Sequence, residues 1–116
     1  MVLLLDDDDT FRTALSELFE GDGHPVRAFR SLADLPPLAE LPPFAAVITD
    51  YQLQDYEDGL SFATRFNATQ PTVPVIIVTA YESDHLARSV AAAPYLSLLR
   101  KPVRYDDLHQ LLHERV

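Results

Sequence analysis

Cysteine is absent from this chain, which excludes a disulfide framework and any thiolate metal site. Basic residues are scarce as well: nine Lys and Arg stand against eighteen Asp and Glu, for a formal net charge of −9. Affinity for a phosphate backbone comes from clustered basic side chains that release counterions, and only Arg27 with Arg30, and Arg100 and Lys101 with Arg104, approach a basic group. Direct nucleic-acid binding is therefore not expected, whereas a metal site or a basic protein partner suits the acidity. The apolar run at 3–5 is much too short to span a bilayer, and the acidic residues after it are the opposite of what a signal peptide presents. We expect no membrane insertion, no targeting segment and a cytoplasmic location. A glycine-rich phosphate loop, a Ser-His-Asp arrangement and a basic amphipathic helix are missing too.

What the chain does contain is ordinary globular material, with 47% hydrophobic and 23% charged residues in a length suited to one domain spanning 1–116. Short apolar runs alternate with helical periodicity five times, the signature of repeated βα units. Strands are predicted at 2–5, 25–29, 44–49, 75–78 and 96–99. The second is an edge, because it starts with Pro25 and carries Arg27. Helices are predicted at 10–20, with Phe11, Ala14, Leu15, Leu18 and Phe19 on one face and a glycine stop at 21–23; at 31–39, with Ser31 and Asp34 at capping-box spacing; at 59–67; from an N-cap at Ser83 through 92; and at 106–115. The Pro36-Pro37 pair makes the second helix the weakest of the five.

Polar residues stand where the predicted strands end. Asp6, Asp7, Asp8 and Asp9 follow the first strand, Asp50 the third, Thr79 the fourth and Lys101 the fifth. In an open parallel sheet the carboxyl ends of the strands meet along one edge, so these groups form one cluster. Carboxylates suit a hard divalent cation, and a hydroxyl, a backbone N–H and an ammonium suit a phosphoryl group. Asp8 and Asp9 have a second reading as the N-cap and first turn of a helix. Crowded carboxylates repel by several kcal/mol at an effective dielectric of about 20, so without a cation one of them should have a raised pKa. The Lys101-Pro102 bond is a candidate for the cis form. His109 and His113 share a helical face without a third ligand, and His24 and His85 fall near turns, so all four read as surface residues.

In this order and context the residues resemble the receiver domain of two-component response regulators over essentially the whole chain: the acidic pair Asp6-Asp7, Asp50, Thr79-Ala80 and Lys101-Pro102. The resemblance implies a flavodoxin-like doubly wound (βα)5 α/β fold with a five-stranded parallel sheet in the order 2-1-3-4-5. It also implies a phosphoaccepting role for Asp50, with Mg2+ (Mn2+ as a substitute) held by Asp6, Asp7, Asp50 and the Gln52 backbone carbonyl, Asp6 acting largely through water. Thr79, the Ala80 N–H and Lys101 would bind the phosphoryl oxygens. The implied donor is a histidine kinase or histidine phosphotransfer domain. Residues at the positions of Gln52 and Tyr81 tune hydrolysis in this family, and the domain resets itself rather than turning over as an enzyme. Output is expected through the face of the fourth predicted helix, the fifth strand and the closing helix, where Leu86 and Val90 supply apolar material for a homodimer.

Two features depart from the family pattern. Leu98 stands where an aromatic is frequent, and the loop after Asp50 is one residue longer than usual with Gln54 in place of proline. Both resemble receivers attached to hybrid sensor kinases. A rival reading takes Asp6-x-Asp8-x-Thr10 as the signature of a haloacid-dehalogenase-type phosphatase, with Asp6 as acceptor and Asp8 as general acid. That reading leaves Asp50 unexplained. A third keeps the fold as a docking module without chemistry, and the intact polar set argues against it.

Overall fold

Alternation along the strands decides the layers. The computed structural model describes residues 1–53, 57–81 and 83–115, for 113–115 the backbone alone. The readings that rest on Gln54 and on the His113 side chain therefore lie outside the described residues. Strands β1 (Val2–Leu5), β2 (Val26–Phe29), β3 (Ala46–Asp50), β4 (Val75–Thr79) and β5 (Leu96–Arg100) pair in parallel in the order β2-β1-β3-β4-β5. Successive side chains of a strand point to opposite faces. Leu3, Leu5, Val47, Val75, Ile77 and Leu96 thus join one core with Phe62, Phe66, Leu86 and Val90. Val2, Leu4, Ile48, Ile76 and Val78 join the other with Leu15, Phe19 and Leu108.

Among the described residues four α-helices cover the two faces: α1 (Asp9–Gly21), α2 (Gly59–Thr69), α3 (Asp84–Ala91) and α4 (Tyr105–Arg115). Capping fixes where they begin. Asp8 accepts the Phe11 N–H, Asp58 the Ser61 N–H and Ser83 the Leu86 N–H, each satisfying a donor that the first turn leaves free. At the end of α1 the backbone turns through Gly23 at φ 85, a left-handed conformation that suits a residue without Cβ. The predicted apolar face of this helix is narrower than its spacing suggested. Leu15 and Phe19 are buried, whereas Ala14 is exposed and Leu18 retains 47% of its surface.

The predicted second helix is not formed. In its place lie two short 3-10 turns, Leu32–Asp34 and Leu38–Glu40, and Ser31 makes no side-chain cap. The fold is therefore doubly wound, with four α-helices among the described residues rather than five. A residue before proline is driven out of the helical region. Leu35, before Pro36, sits at φ −82, ψ 134, and Leu41, before Pro42, at φ −71, ψ 140. What survives is the burial pattern: Leu32, Leu35, Leu38 and Leu41 pack against the first core at intervals of three, the period of a 3-10 turn. Gln70 secures the strap, its side chain accepting the Phe44 N–H at 3.0 Å and donating to the Pro42 carbonyl at 2.9 Å.

Among the described residues no helix is long and apolar enough to cross a membrane. Leu86 and Val90, offered by the sequence for a homodimer contact, are instead buried in the first core, because α3 turns them inward onto β5.

The start of α4 is tied to the end of α1. The Tyr105 hydroxyl donates to Asp22 Oδ2, and its ring meets Phe19 edge-on at 5.2 Å. Burial, and then the Asp22 carboxylate, push this phenol up to about 12. The fold favours the neutral form, so the contribution is complete below the ordinary phenol pKa of about 10 and is lost as pH rises toward the folded value. Tyr105→Phe should lower stability to urea by about 1 kcal/mol at neutral pH. In an ultraviolet difference titration against this variant, the missing phenolate should be the one that appears near pH 12.

Candidate functional site

Three buried strands end in polar residues along one edge of the sheet. Asp6 leaves β1, Asp50 closes β3 and Thr79 closes β4, with relative exposures of 1%, 7% and 1%. Backbone hydrogen bonds draw the following loops together: the Tyr51 N–H donates to the Val78 carbonyl at 2.8 Å and the Lys101 N–H to the Thr79 carbonyl at 2.7 Å. The Lys101-Pro102 bond is cis, as the sequence allowed. The Lys101 Nζ lies 3.3 Å from Asp6 Oδ2 and 3.3 Å from Asp50 Oδ2, so one ammonium serves two carboxylates.

Asp7 completes the acidic group. Carboxylate oxygens of Asp6, Asp7 and Asp50 all lie within 4.8 Å of one another, the one such cluster among the described residues. Three hard oxygen donors at this spacing fit a divalent cation such as Mg2+ or Mn2+. Asp6 Oδ1 also accepts the Asp8 N–H at 2.9 Å, and the Arg12 guanidinium donates to the Asp6 carbonyl at 2.9 Å, which together fix the turn into α1. Burial, followed by the charge of Asp6, outweighs Lys101 and the Gln52 N–H and holds Asp50 above the usual carboxylate range. The expectation of a raised carboxylate pKa in the cluster is met at this residue. Burial works against the Lys101 ammonium, yet Asp6 and Asp50 overcome it and raise its pKa.

The remaining sequence candidates take the following places. Gln52 stands beside Asp50, its N–H donating to Asp50 Oδ1 at 3.3 Å. The Thr79 hydroxyl is engaged locally: it donates to the Tyr81 carbonyl at 2.8 Å and accepts the Tyr81 N–H at 3.1 Å. Ala80 follows it, exposed at the sheet edge. Asp8, which the phosphatase reading needs as a general acid, is turned to the N-terminus of α1 as its cap. Asp9 pairs with Arg12, which lowers its pKa. Leu98 is half-buried against the first core. The His109 ring lies beside Tyr105 and that of His24 beside Phe19, away from the acidic cluster.

Sequence reasoning passed over Gly59, reading it only as the start of a helix. A Cβ built on Gly59 would stand 2.3 Å from the Asp50 carbonyl oxygen and 3.0 Å from the Tyr51 Cα, both backbone atoms. The Gly59 N–H donates to the Tyr51 carbonyl at 2.7 Å. This close approach of α2 to the end of β3 sets the height at which Asp50 is presented. Glycine as the first residue of a helix was the available signal, since it is a poor helix former that is used where backbones nearly touch.

A family model for the response regulator receiver domain matches residues 2–113. The transcriptional regulatory protein ZraR of Salmonella typhimurium is 29% identical over 113 residues, covering 97% of this chain and 25% of that protein. ZraR of Klebsiella oxytoca is 32% identical over 114 residues, again 97% and 25%. The chain thus spans about a quarter of the length of these curated relatives. Neither is named as a sensor kinase, so the affinity to hybrid-kinase receivers gains no support from them. Among solved structures, the receiver domain of the Francisella response regulator 1452 is 22% identical with a TM-score of 0.82, covering 98% of this chain and 93% of that one. A response regulator from Burkholderia pseudomallei, described with a phosphorylated aspartic acid, a calcium ion and citrate, is 24% identical with a TM-score of 0.84, covering 96% and 65%. These structural likenesses establish the fold.

Three stability measurements check the site. Because the fold disfavours ionised Asp50, the native state holds a proton there more tightly than the unfolded chain, and ionisation costs stability above the unfolded carboxylate pKa. Asp50→Asn should therefore unfold at a higher temperature than wild type at pH 7 in metal-free calorimetry, with the difference closing as the pH falls to about 4. Gly59→Ala should destabilise by about 1–3 kcal/mol, because backbone must move to admit the methyl group. Gly21→Ala, whose Cβ meets nothing within 4 Å, should be neutral or gain up to about 1 kcal/mol.

Proposed function

This chain belongs to the response regulator receiver domain family of two-component signalling, and on that premise we propose that Asp50 accepts a phosphoryl group from the phosphohistidine of a histidine kinase or histidine phosphotransfer domain. The observation that carries the reading is the sharing of one ammonium, Lys101, by the buried carboxylates Asp6 and Asp50 at the edge of a parallel sheet. A carboxylate attacks phosphorus readily only when charge on the equatorial oxygens is neutralised and the nucleophile is aligned. Asp50 is aligned by its strand and by the Gly59 contact behind it.

In the step, an Asp50 carboxylate oxygen forms the new bond to phosphorus as the bond to the donor imidazole nitrogen breaks, and the imidazole leaves with that electron pair. The product is an acyl phosphate on Asp50. Asp6, Asp7, Asp50 and the Gln52 backbone carbonyl would hold Mg2+, with Mn2+ as a substitute and Asp6 acting largely through water. Bound there, the ion supplies positive charge to the transferring phosphoryl oxygens and relieves the repulsion between the carboxylates. The Lys101 ammonium, the Thr79 hydroxyl and the Ala80 N–H would take the remaining oxygens. For Thr79 this requires leaving the Tyr81 backbone, and that exchange of partners is the start of the switch.

The change then passes to the face formed by α3, β5 and α4. Leu98 replaces a ring on β5, so the movement there is a repacking of aliphatic side chains rather than the swing of an aromatic. Water attack on the acyl phosphate, screened by Gln52 and the exposed Tyr81, returns the domain to its starting state without turnover of a second substrate.

Incubation with Mg2+ and acetyl phosphate, followed by intact and peptide mass spectrometry, tests the assignment. One hydroxylamine-labile phosphoryl adduct should form on Asp50 and should be lost on chelation of the metal or in Asp50→Asn. Rapid donor turnover with the adduct on Asp6, unaffected by Asp50→Asn, would instead establish the phosphatase chemistry. Absence of any adduct would leave a docking module.

A further inference from the structure

Lys101 is the only lysine of the chain, and the carboxylates that hold it are the same ones a divalent cation would claim. An ammonium kept in place by Asp6 and Asp50 alone would lose much of that attraction whenever their charge is neutralised. The structure supplies a third partner. The ring of Phe11, in the first turn of α1, lies with its centroid 5.3 Å from Lys101 Nζ, within the range of a cation–π contact. A neutral ring attracts an ammonium through its quadrupole and offers no ligand atom to a metal, so the two cations do not compete for it.

The position of this ring is itself fixed. Asp8 caps α1 through the Phe11 N–H, at 3.1 Å, and Phe11 is half-buried against the second core. Phe11 and Lys101 also line one side of an open cavity with Asp8, Pro102 and Val103, next to the acidic cluster. The Lys101 side chain keeps 27% of its surface, so without the ring it would have room to swing into solvent.

We propose that Phe11 is a positioning residue: its ring acts with Asp6 and Asp50 to hold the Lys101 ammonium at the sheet edge, where it meets the incoming phosphoryl oxygens. This rests on the phosphoacceptor reading for its role, and on geometry alone for the contact.

The two are tested apart. With lysine labelled with 13C at Cε, the metal-free protein gives a single Lys101 signal. Its protons should be shifted upfield by the Phe11 ring, and they should move to the free-lysine position in Phe11→Leu. Separately, the rate constant for phosphorylation by acetyl phosphate at saturating Mg2+ should fall about three- to tenfold in Phe11→Leu, and stay within about twofold of wild type in Phe11→Tyr, which keeps a ring face. Pentafluorophenylalanine at position 11 keeps the shape and packing but inverts the ring quadrupole, and it should slow the reaction as Phe11→Leu does. In the Lys101→Ala background, Phe11→Leu should cause no further loss. An unshifted Lys101 signal overturns the contact. Equal slowing by Phe11→Leu with and without Lys101, or none at all, overturns the positioning role. A shifted signal in a wild-type protein that takes up no phosphoryl group overturns the phosphoacceptor reading and with it the role, leaving only the contact.

Discussion

Asp6 and Asp50 repel one another, and the fold keeps them together with a single ammonium between them. Neither carboxylate can withdraw into water, because each is carried by a strand buried on both faces. The strain of that arrangement falls on Asp50, whose burial and acidic neighbour make its ionised form unfavourable. A cluster of this kind is poorly satisfied by the protein alone. Its three carboxylates are of the type that suits a divalent cation.

The rest of the molecule can be understood as what holds this edge rigid. Parallel pairing of β1, β3 and β4 puts their carboxyl ends level. Two cores, one on each face, prevent the sheet from relaxing. Behind Asp50, α2 approaches so closely that only glycine fits at its first position, and in front of Asp6, Arg12 and Asp8 lock the turn into α1. Lys101 arrives from the far edge strand on a loop whose backbone is bonded to Thr79.

One region departs from the regular βα plan. Between β2 and β3, prolines at 36, 37, 42 and 43 forbid a helix, yet four leucines still seal the core through two 3-10 turns. Side-chain burial at intervals of three was enough to preserve the layer while its backbone geometry changed. At the sheet edge the Thr79 hydroxyl is bonded in both directions to the Tyr81 backbone.

The sequence by itself determined the class of fold and most of the polar set. Five apolar runs of strand length, four of them followed by a chemically distinctive residue, specify a parallel sheet and the edge on which Asp6, Asp50, Thr79 and Lys101 meet, because alternation and chain direction are local properties. Helix starts at Asp8 and Ser83 were legible for the same reason. Only the tertiary structure decided what depends on distances between segments remote in sequence: the narrowing of the buried face of α1, the inward turn of Leu86 and Val90, the contact of Gly59 with the Asp50 backbone, and the placing of Phe11 over Lys101. The failure of the second helix lies between the two. Its prolines were visible and break the helix, while the packing of leucines at a spacing of three onto the core appears only in the tertiary structure.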